Sequence, residues 1–277
     1  MTSVDPAAVR SSMLDRIEST SAGGYLTQVA AVADAELRKL RHDLWELFSR
    51  AVQPLLWLVL FGKVMARARG LGAQGLPYLD FLAPGILAQS VLFVAIFYGI
   101  SAIWERDLGV LHRYMVSPAP RSALVIGKAL SSSLRGLSQA LVVYVCAAAL
   151  GVGLSLHVLS IGRVVFFIVL GSALFSTFSL IIACVVKTRE RFMGIGQVLT
   201  MPIFFASNAI YPISLMPAWL RVVSLLNPLT YEVDALRALM LLHSPTEFGL
   251  PIDAAVLLVA CGLAIACASR MYPRMTQ

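Results

Sequence analysis

Residues 81–103 read FLAPGILAQSVLFVAIFYGISAI, and this stretch decides the fold. It contains no Asp, Glu, Lys or Arg over its whole length. An α-helix needs about 20 mostly apolar residues to cross the hydrocarbon core of a bilayer. The sequence therefore predicts a membrane-spanning helix here.

Five further apolar blocks have a similar length. They cover residues 47–66, 136–154, 164–186, 194–215 and 251–269. Ser131, Ser132, Ser133 and Arg135 precede the block at 136–154, so its helix is expected to start earlier. Pro202 and Pro212 predict a kinked or short helix in the block at 194–215. The predicted fold is all-α, a polytopic membrane protein with six transmembrane helices.

The composition excludes a water-soluble fold. Hydrophobic residues make up 58% of the chain and charged residues 13%, and the mean hydropathy is +0.81. A soluble domain has roughly 45–50% apolar and about 25% charged residues, so this chain has too little polar surface to face water.

Positive charge predicts the orientation, because cytoplasmic loops retain Lys and Arg. With both termini in the cytoplasm, 16 of the 22 basic residues fall on the cytoplasmic side. The net charge of +7 then reflects topology and attraction to anionic membrane lipid, with no need for a nucleic-acid partner. The residue usage favours the cytoplasmic membrane of a bacterium.

The N-terminal region divides into two parts. Residues 1–24 are polar and are predicted to be a flexible tail without the apolar core of a signal peptide. In residues 25–46 the apolar residues recur at helical spacing on one face, and polar and basic residues lie on the other. This predicts an amphipathic helix lying in the inner membrane interface. A cytoplasmic helix packed on a partner subunit remains the alternative.

Chemistry-bearing motifs are missing from the sequence. Cys146, Cys184, Cys261 and Cys267 lie inside apolar blocks without metal-ligand spacing, so no metal site is expected. Gly127-Lys128 is followed by Ala129, which excludes a phosphate-binding loop. No Asp, Glu or His lies deep in any of the six apolar blocks. The chain is therefore predicted to be no enzyme, to hold no cofactor and to draw its energy from another subunit.

Residues 104–121 read WERDLGVLHRYMVSPAPR, a charged exit from the membrane followed by a short amphipathic helix that a Ser-Pro segment ends. The stretch resembles the Glu-Arg-x-x-Gly-x-Leu … Ser/Thr-Pro segment of permease subunits of type-2 ABC exporters. The resemblance implies a coupling helix that sits in a cleft of an ATPase. The implied coupling residues are Glu105, Arg106, Asp107, Leu108, Gly109, Leu111, His112, Arg113, Tyr114 and Met115.

Two more stretches carry the same resemblance: FLAPGIL at residues 81–87 and NPLTY at 227–231, with Arg237. The match covers a single transmembrane domain, residues 25–277, and is closest to drug-export permeases of the daunorubicin-resistance type. It implies two ATPase subunits, which bind ATP and Mg²⁺, and a second permease, identical or paralogous.

The Asn227-Pro228 pair divides residues 216–242 into two segments, and each segment is too short to span a membrane. Pro217 precedes an apolar run, the Asn227-Pro228 pair interrupts it, and helical spacing resumes afterwards. We expect short re-entrant helices on the outer side, with a plain extracellular loop as the alternative. The predicted outer-gate residues are Asn227, Pro228, Tyr231, Glu232, Asp234 and Arg237, with Glu232 or Asp234 paired to Arg237.

The predicted function is export of hydrophobic or amphiphilic molecules, drug-like or lipid-like. Polar residues inside the blocks are candidates for its path, although such residues more often join helices by hydrogen bonds. They are Gln89, Tyr98, Gln139, Gln197 and Asn208. Export of a lipid-linked polysaccharide or glycolipid and a secondary carrier without an ATPase remain open.

Overall fold

A computed structural model of the chain describes residues 44–65, 77–108, 121–186, 188–242 and 244–272. The predicted tail, 1–24, and residues 25–43 of the predicted interfacial helix lie outside these ranges.

The described residues form nine α-helices and no β-strand. The helices are α1 Leu44–Met65, α2 Tyr78–Tyr98, α3 Ile100–Asp107, α4 Arg121–Ala149, α5 Val158–Val185, α6 Arg189–Phe205, α7 Ala218–Leu226, α8 Pro228–Met240 and α9 Leu250–Met271. Only Gly99 separates α2 from α3. This confirms the predicted all-helical fold.

Four helical segments in the described part are long and apolar enough to cross a membrane. They are Tyr78–Asp107, Leu124–Ala149, Val158–Val185 and Leu250–Met271. The two other blocks are also helical, but α6 has 17 residues and the apolar part of α1 is Val52–Gly62. The structure therefore supports a polytopic membrane protein with four candidate spans.

One end of the bundle collects basic side chains, and we call it the basic end. Arg106, Lys128, Arg189 and Arg270 lie at the ends of α3, α4, α6 and α9 that meet there. A small apolar cluster containing Ile103 and Tyr272 packs between these ends. The opposite end joins the α4–α5 connection to the end of α8, where Ser155 N donates to Met240 O at 2.7 Å.

The lengths of α4 and α6 follow the sequence expectations. Helix α4 begins at Arg121, well before the apolar block that starts at residue 136. Helix α6 begins after Thr188, whose hydroxyl accepts from Arg191 N, and it ends at Phe205, ten residues before the apolar block does. The fifth block therefore forms a short helix, as its prolines predict.

Helix α8 packs inside the bundle against α2, α5 and α9. It buries Glu232, Asp234 and Arg237, and Asp253 in the first turn of α9 is buried as well. Glu232, Asp234 and Arg237 belong to the predicted outer segment 216–242, and Asp253 stands near the start of the last apolar block, so none of these buried groups lies deep in one of the six blocks. The mixed composition of α8 is typical of a surface helix, whereas its burial arises from tertiary packing.

Candidate functional site

Helix α3 is fastened to α4 by an ion pair. Lys128 Nζ donates to Glu105 Oε2 at 2.6 Å, and the Lys128 side chain is 7% exposed. A charge-assisted hydrogen bond of this length is about twice as strong as a neutral one. Because Lys128 is nearly buried, removal of Glu105 would leave an uncompensated charge.

A second contact fastens α3 to α6. Arg189 donates to Asp107 Oδ2 from Nε at 3.1 Å and from Nη2 at 2.9 Å. The same guanidinium lies over the Trp104 ring, 3.4 Å from its centroid. Arg106 Nη1 also donates to Val186 O, at the end of α5, at 3.4 Å. We call Trp104, Glu105, Asp107, Lys128 and Arg189 the α3 clamp.

The α3 clamp contains part of the predicted coupling set. Glu105, Arg106 and Asp107 lie together at the basic end, and the adjacent Leu108 is 70% exposed. The other predicted members, Gly109, Leu111, His112, Arg113, Tyr114 and Met115, lie outside the described residues. The sequence did not indicate that Lys128 and Arg189 would be the partners of α3, or that Trp104 of α3 would contact Arg189.

A cavity of about 480 Å³ opens between α1, α2, α4 and α6. Its lining is Gln53, Pro54, Gln89, Ser90, Phe93, Val94, Phe97, Gln139 and Gln197. Three predicted path residues, Gln89, Gln139 and Gln197, thus meet in one place. Tyr98 and Asn208 are not in this lining: Tyr98 lies under the Arg135 guanidinium, and Asn208 O accepts from Arg237.

The cavity lining combines amides with aromatic rings and contains no charged side chain. Gln89 is 3% exposed, and its Nε2 has no hydrogen-bond partner among the described residues. Phe93 and Phe97 stack with centroids 6.1 Å apart. Such a lining suits an uncharged molecule that has apolar surface and hydrogen-bond acceptors.

The start of α8 is held by side chains on both sides of the Asn-Pro pair. Asn227 Oδ1 accepts from Leu229 N at 3.0 Å, which caps the helix, while its Nδ2 donates to Ile203 O of α6 at 2.6 Å. Pro228 occupies the first helical position, where no amide hydrogen is needed. Tyr231 Oη donates to Leu225 O of α7 at 2.9 Å.

Arg237 and Asp234 bind backbone groups rather than each other. Arg237 Nη2 donates to Asn208 O at 2.8 Å, and its guanidinium lies 3.9 Å from the Phe81 ring centroid. Asp234 accepts from the amides of Glu247 and Phe248 at 2.9 and 3.2 Å. The predicted pairing of Glu232 or Asp234 with Arg237 is thus replaced by links to α2 and to the segment before α9.

Burial shifts the pKa values of these groups. Desolvation lowers the pKa of Arg237 to about 10, and the nearby carboxylates of Asp234 and Glu247 oppose this shift. Desolvation raises the pKa of Asp234, although the two backbone amides and Arg237 favour its charged form. Arg237 therefore remains a cation at neutral pH.

Glu232 has no such partner. It is fully buried, and neither carboxylate oxygen has a hydrogen-bond partner among the described residues. Desolvation raises its pKa well above the usual value.

Among the described residues, no group of three or more His, Cys, Asp or Glu side chains could hold a metal ion.

Comparison with known proteins places this geometry in context. The model of one protein family, described as ABC-2 type transporter, matches residues 27–241. The chain is similar to the putative transport permease ycf38 of Cyanophora paradoxa, with 32% identity over 195 residues that cover 70% of this chain and 67% of the relative.

Two further relatives have lower identity. One is the daunorubicin resistance ABC transporter permease protein DrrB1 of Streptomyces coeruleorubidus, 26% identical over 72% of this chain and 70% of the relative. The other is nodulation protein J of Rhizobium leguminosarum bv. trifolii, 25% identical over 80% of this chain and 84% of the relative.

Proposed function

The chain belongs to the ABC-2 type transporter family, and we propose that it forms the membrane path of an exporter for uncharged amphiphilic molecules. It is a transport permease of an ABC transporter and carries no ATPase site of its own. In the proposal, two separate ATPase subunits bind ATP and Mg²⁺, and a second permease completes the path across a bacterial cytoplasmic membrane.

The observation that carries the proposal is the route from the α3 clamp to the cavity. Lys128 and Gln139 stand on the same α4 helix, eleven residues apart, which is three turns or about 16 Å. Arg189 and Gln197 stand on α6, eight residues or about 12 Å apart. A displacement of α3 would therefore move two walls of the cavity.

The ATPase is proposed to act on α3 from the basic end. Its docking surface would include residues 109–120, which directly follow the exposed Leu108. ATP binding would shift α3, and the ion pairs of the α3 clamp would transmit the shift to α4 and α6. Both termini would then lie on the cytoplasmic side.

The cavity supports the choice of cargo. Its lining offers four amide groups and two stacked phenyl rings but no ion. A charged molecule would lose its hydration there without finding a counter-charge, which is costly in a low-dielectric site. Drug-like and neutral lipid-like molecules fit this lining better than an anionic lipid-linked polymer does.

The exit is proposed to pass α7 and α8 at the opposite end. Helix α8 is anchored to α6 by Asn227 and to α2 by Arg237, so motions of the cavity walls would reach it directly. These two side chains make α8 the proposed outer gate.

Charge reversal in the α3 clamp tests the coupling. The chain and its ATPase are purified together and reconstituted into lipid vesicles. ATP-driven uptake of a neutral lipophilic dye into these vesicles is measured beside ATP hydrolysis. Glu105→Lys and Lys128→Glu should each reduce uptake at least about tenfold while hydrolysis continues, since each buries an uncompensated charge. The double exchange restores the pair and should recover most of the uptake.

Arg191→Gln is the matched control, because Arg191 is exposed at the same end and lies outside the α3 clamp. It should leave uptake unchanged. Normal uptake in both single reversals would overturn the proposed coupling. Dye uptake by the purified chain without any ATPase would favour a secondary carrier instead.

A further inference from the structure

Glu232 lies in the first half of α8, in surroundings that do not stabilise a negative charge. Its side chain is fully buried, and both carboxylate oxygens are without a hydrogen-bond partner in the described part of the chain. An ionised carboxylate in such a place loses its hydration without gaining a partner, so the group takes up a proton instead.

Helix α5 has a notch that receives this carboxyl group. A Cβ atom at Gly171 would overlap both carboxylate oxygens of Glu232. Gly171 lies in the middle of α5, so the carboxyl group packs directly against helix backbone without an intervening side chain. The close approach keeps water away from the carboxyl group while α8 stays in the bundle.

Other titratable groups in this half of the bundle do not reach Glu232. They include Tyr231, Asp234 and Arg237 on α8, Tyr78 and Asp80 on α2, His157 and Arg163 at the start of α5, Arg221 on α7, Glu247 and Asp253 around the start of α9, and Cys261 on α9. None forms a hydrogen bond with Glu232. Three of these groups have other partners. Arg237 donates to Asn208 O, Asp234 accepts from backbone amides, and Tyr78 donates to Ile210 O.

The notch also adjoins the cavity wall. Ser172, the neighbour of Gly171, packs against Gly136 of α4, where a Cβ atom would overlap its hydroxyl. Gln139, one turn further along α4, lines the cavity. Through Gly171 and Ser172, Glu232 is thus linked to α4, the helix that carries the displacement of α3 to the cavity in the proposed function.

We propose that Glu232 is a proton-binding site, whose proton is held while α8 lies in the bundle and is released to external water when α8 swings out. The carboxyl group loses only its proton, and no other bond changes. This inference rests on α8 acting as the outer gate, but the proton occupancy of Glu232 can be measured independently of transport.

Linkage gives the direction of the effect. Burial raises the pKa of Glu232 in the closed bundle, whereas a hydrated Glu has a pKa of about 4.3. The closed state binds the additional proton, so it is favoured at low pH and loses stability as the external pH rises towards the raised pKa. One proton changes the opening equilibrium by at most about tenfold per pH unit.

Infrared spectroscopy tests the occupancy in the intact chain reconstituted in lipid. The wild type should show a carboxylic-acid carbonyl band at neutral pH, and Glu232→Gln should remove the part of it that comes from Glu232. The buried Asp253 carboxyl group is a second source, because its oxygens also lack a hydrogen-bond partner among the described residues. Glu190→Gln is the control, because that carboxyl group is exposed at the start of α6, far along the chain from α8, and it should leave the band unchanged. In Asp253→Asn the band should persist, which keeps the test decisive if the Glu232 variant does not fold.

Cysteine accessibility tests the release. In a background without the four native cysteines, Ser224→Cys reports on the buried contact between α7 and α8, and the exposed Ser214→Cys corrects for thiol ionisation. Labelling of the first relative to the second by an impermeant maleimide should rise with external pH, and Glu232→Gln should abolish the rise.

Two results would overturn the proposal. One is an acid carbonyl band that is identical in the wild type and Glu232→Gln. The other is a labelling ratio that depends on pH equally in both. Loss of the Glu232 part of the band with a pH-independent ratio would retain the proton site but refute α8 as the moving gate, which separates this inference from the proposed function.

Discussion

Glycine occurs in α2 at a point where two backbones meet. A Cβ atom at Gly85 would overlap the carbonyl group of Ala209, in the turn after α6. The atoms in conflict are backbone atoms, so no side chain can rotate away to make room. The close approach brings the start of α2 against the turn whose Asn208 O binds Arg237.

Gly85→Ala should therefore lower the stability of the bundle by about 1–3 kcal/mol, the usual cost of overpacking a tight core. Thermal unfolding of the purified chain in one detergent measures the effect. Gly262→Ala on α9 is the control, because nothing lies within 4 Å of its added Cβ. That substitution should be neutral or stabilising by up to about 1 kcal/mol, and equal destabilisation by both changes would contradict the argument.

The α8 element depends on the cap that begins it. Asn227 combines an acceptor for Leu229 N with a donor for Ile203 O, so it both starts the helix and ties it to α6. A serine in its place can still cap the helix but is too short to reach α6. An alanine loses both contacts.

Asn227→Ala should thus weaken the first turn of α8 by about 1–2 kcal/mol, the upper range for loss of an N-cap, and Asn227→Ser by less. Hydrogen exchange of the Leu229 and Thr230 amides, followed by mass spectrometry, should be fastest in the alanine variant and intermediate in the serine variant. Identical exchange in the two variants would show that the side chain does not act as a cap.

The sequence predicted the bounds of α7 and α8 but not their surroundings. Pro217 and the Asn227-Pro228 pair mark where helices begin, because proline is favoured in a first helical turn. The burial of α8 was not predictable, since Arg237 is satisfied by the carbonyl groups of Phe81 and Asn208, 156 and 29 residues away. Such contacts leave no periodic pattern.

The candidate site also combines residues that the sequence indicates with contacts that only the folded chain brings together. Gln89, Gln139 and Gln197 could be selected because an amide inside an apolar block is unusual, and all three line the cavity. Gln53 lines it as well but was missed. The α3 clamp joins residues 23 and 82 positions apart, so only the tertiary structure brings its charges together.

At the scale of the whole molecule, the two ends of the bundle differ in charge. The basic end carries Arg106, Lys128, Arg189 and Arg270, and the exposed Glu190 lies beside them in the first turn of α6. Ser214 is exposed near the opposite end, close to the turn that contacts the start of α2. Positively charged loops remain in the cytoplasm during insertion, so these two positions should face different compartments.

Single cysteines at these positions measure the orientation, in a chain whose four native cysteines are replaced. In intact cells an impermeant maleimide should label Ser214→Cys and leave Glu190→Cys unlabelled. After permeabilisation, Glu190→Cys should react to a similar extent, since both positions are exposed. The reverse pattern would place the basic end outside, where no cytoplasmic ATPase could reach α3, and would refute the proposed coupling together with the orientation.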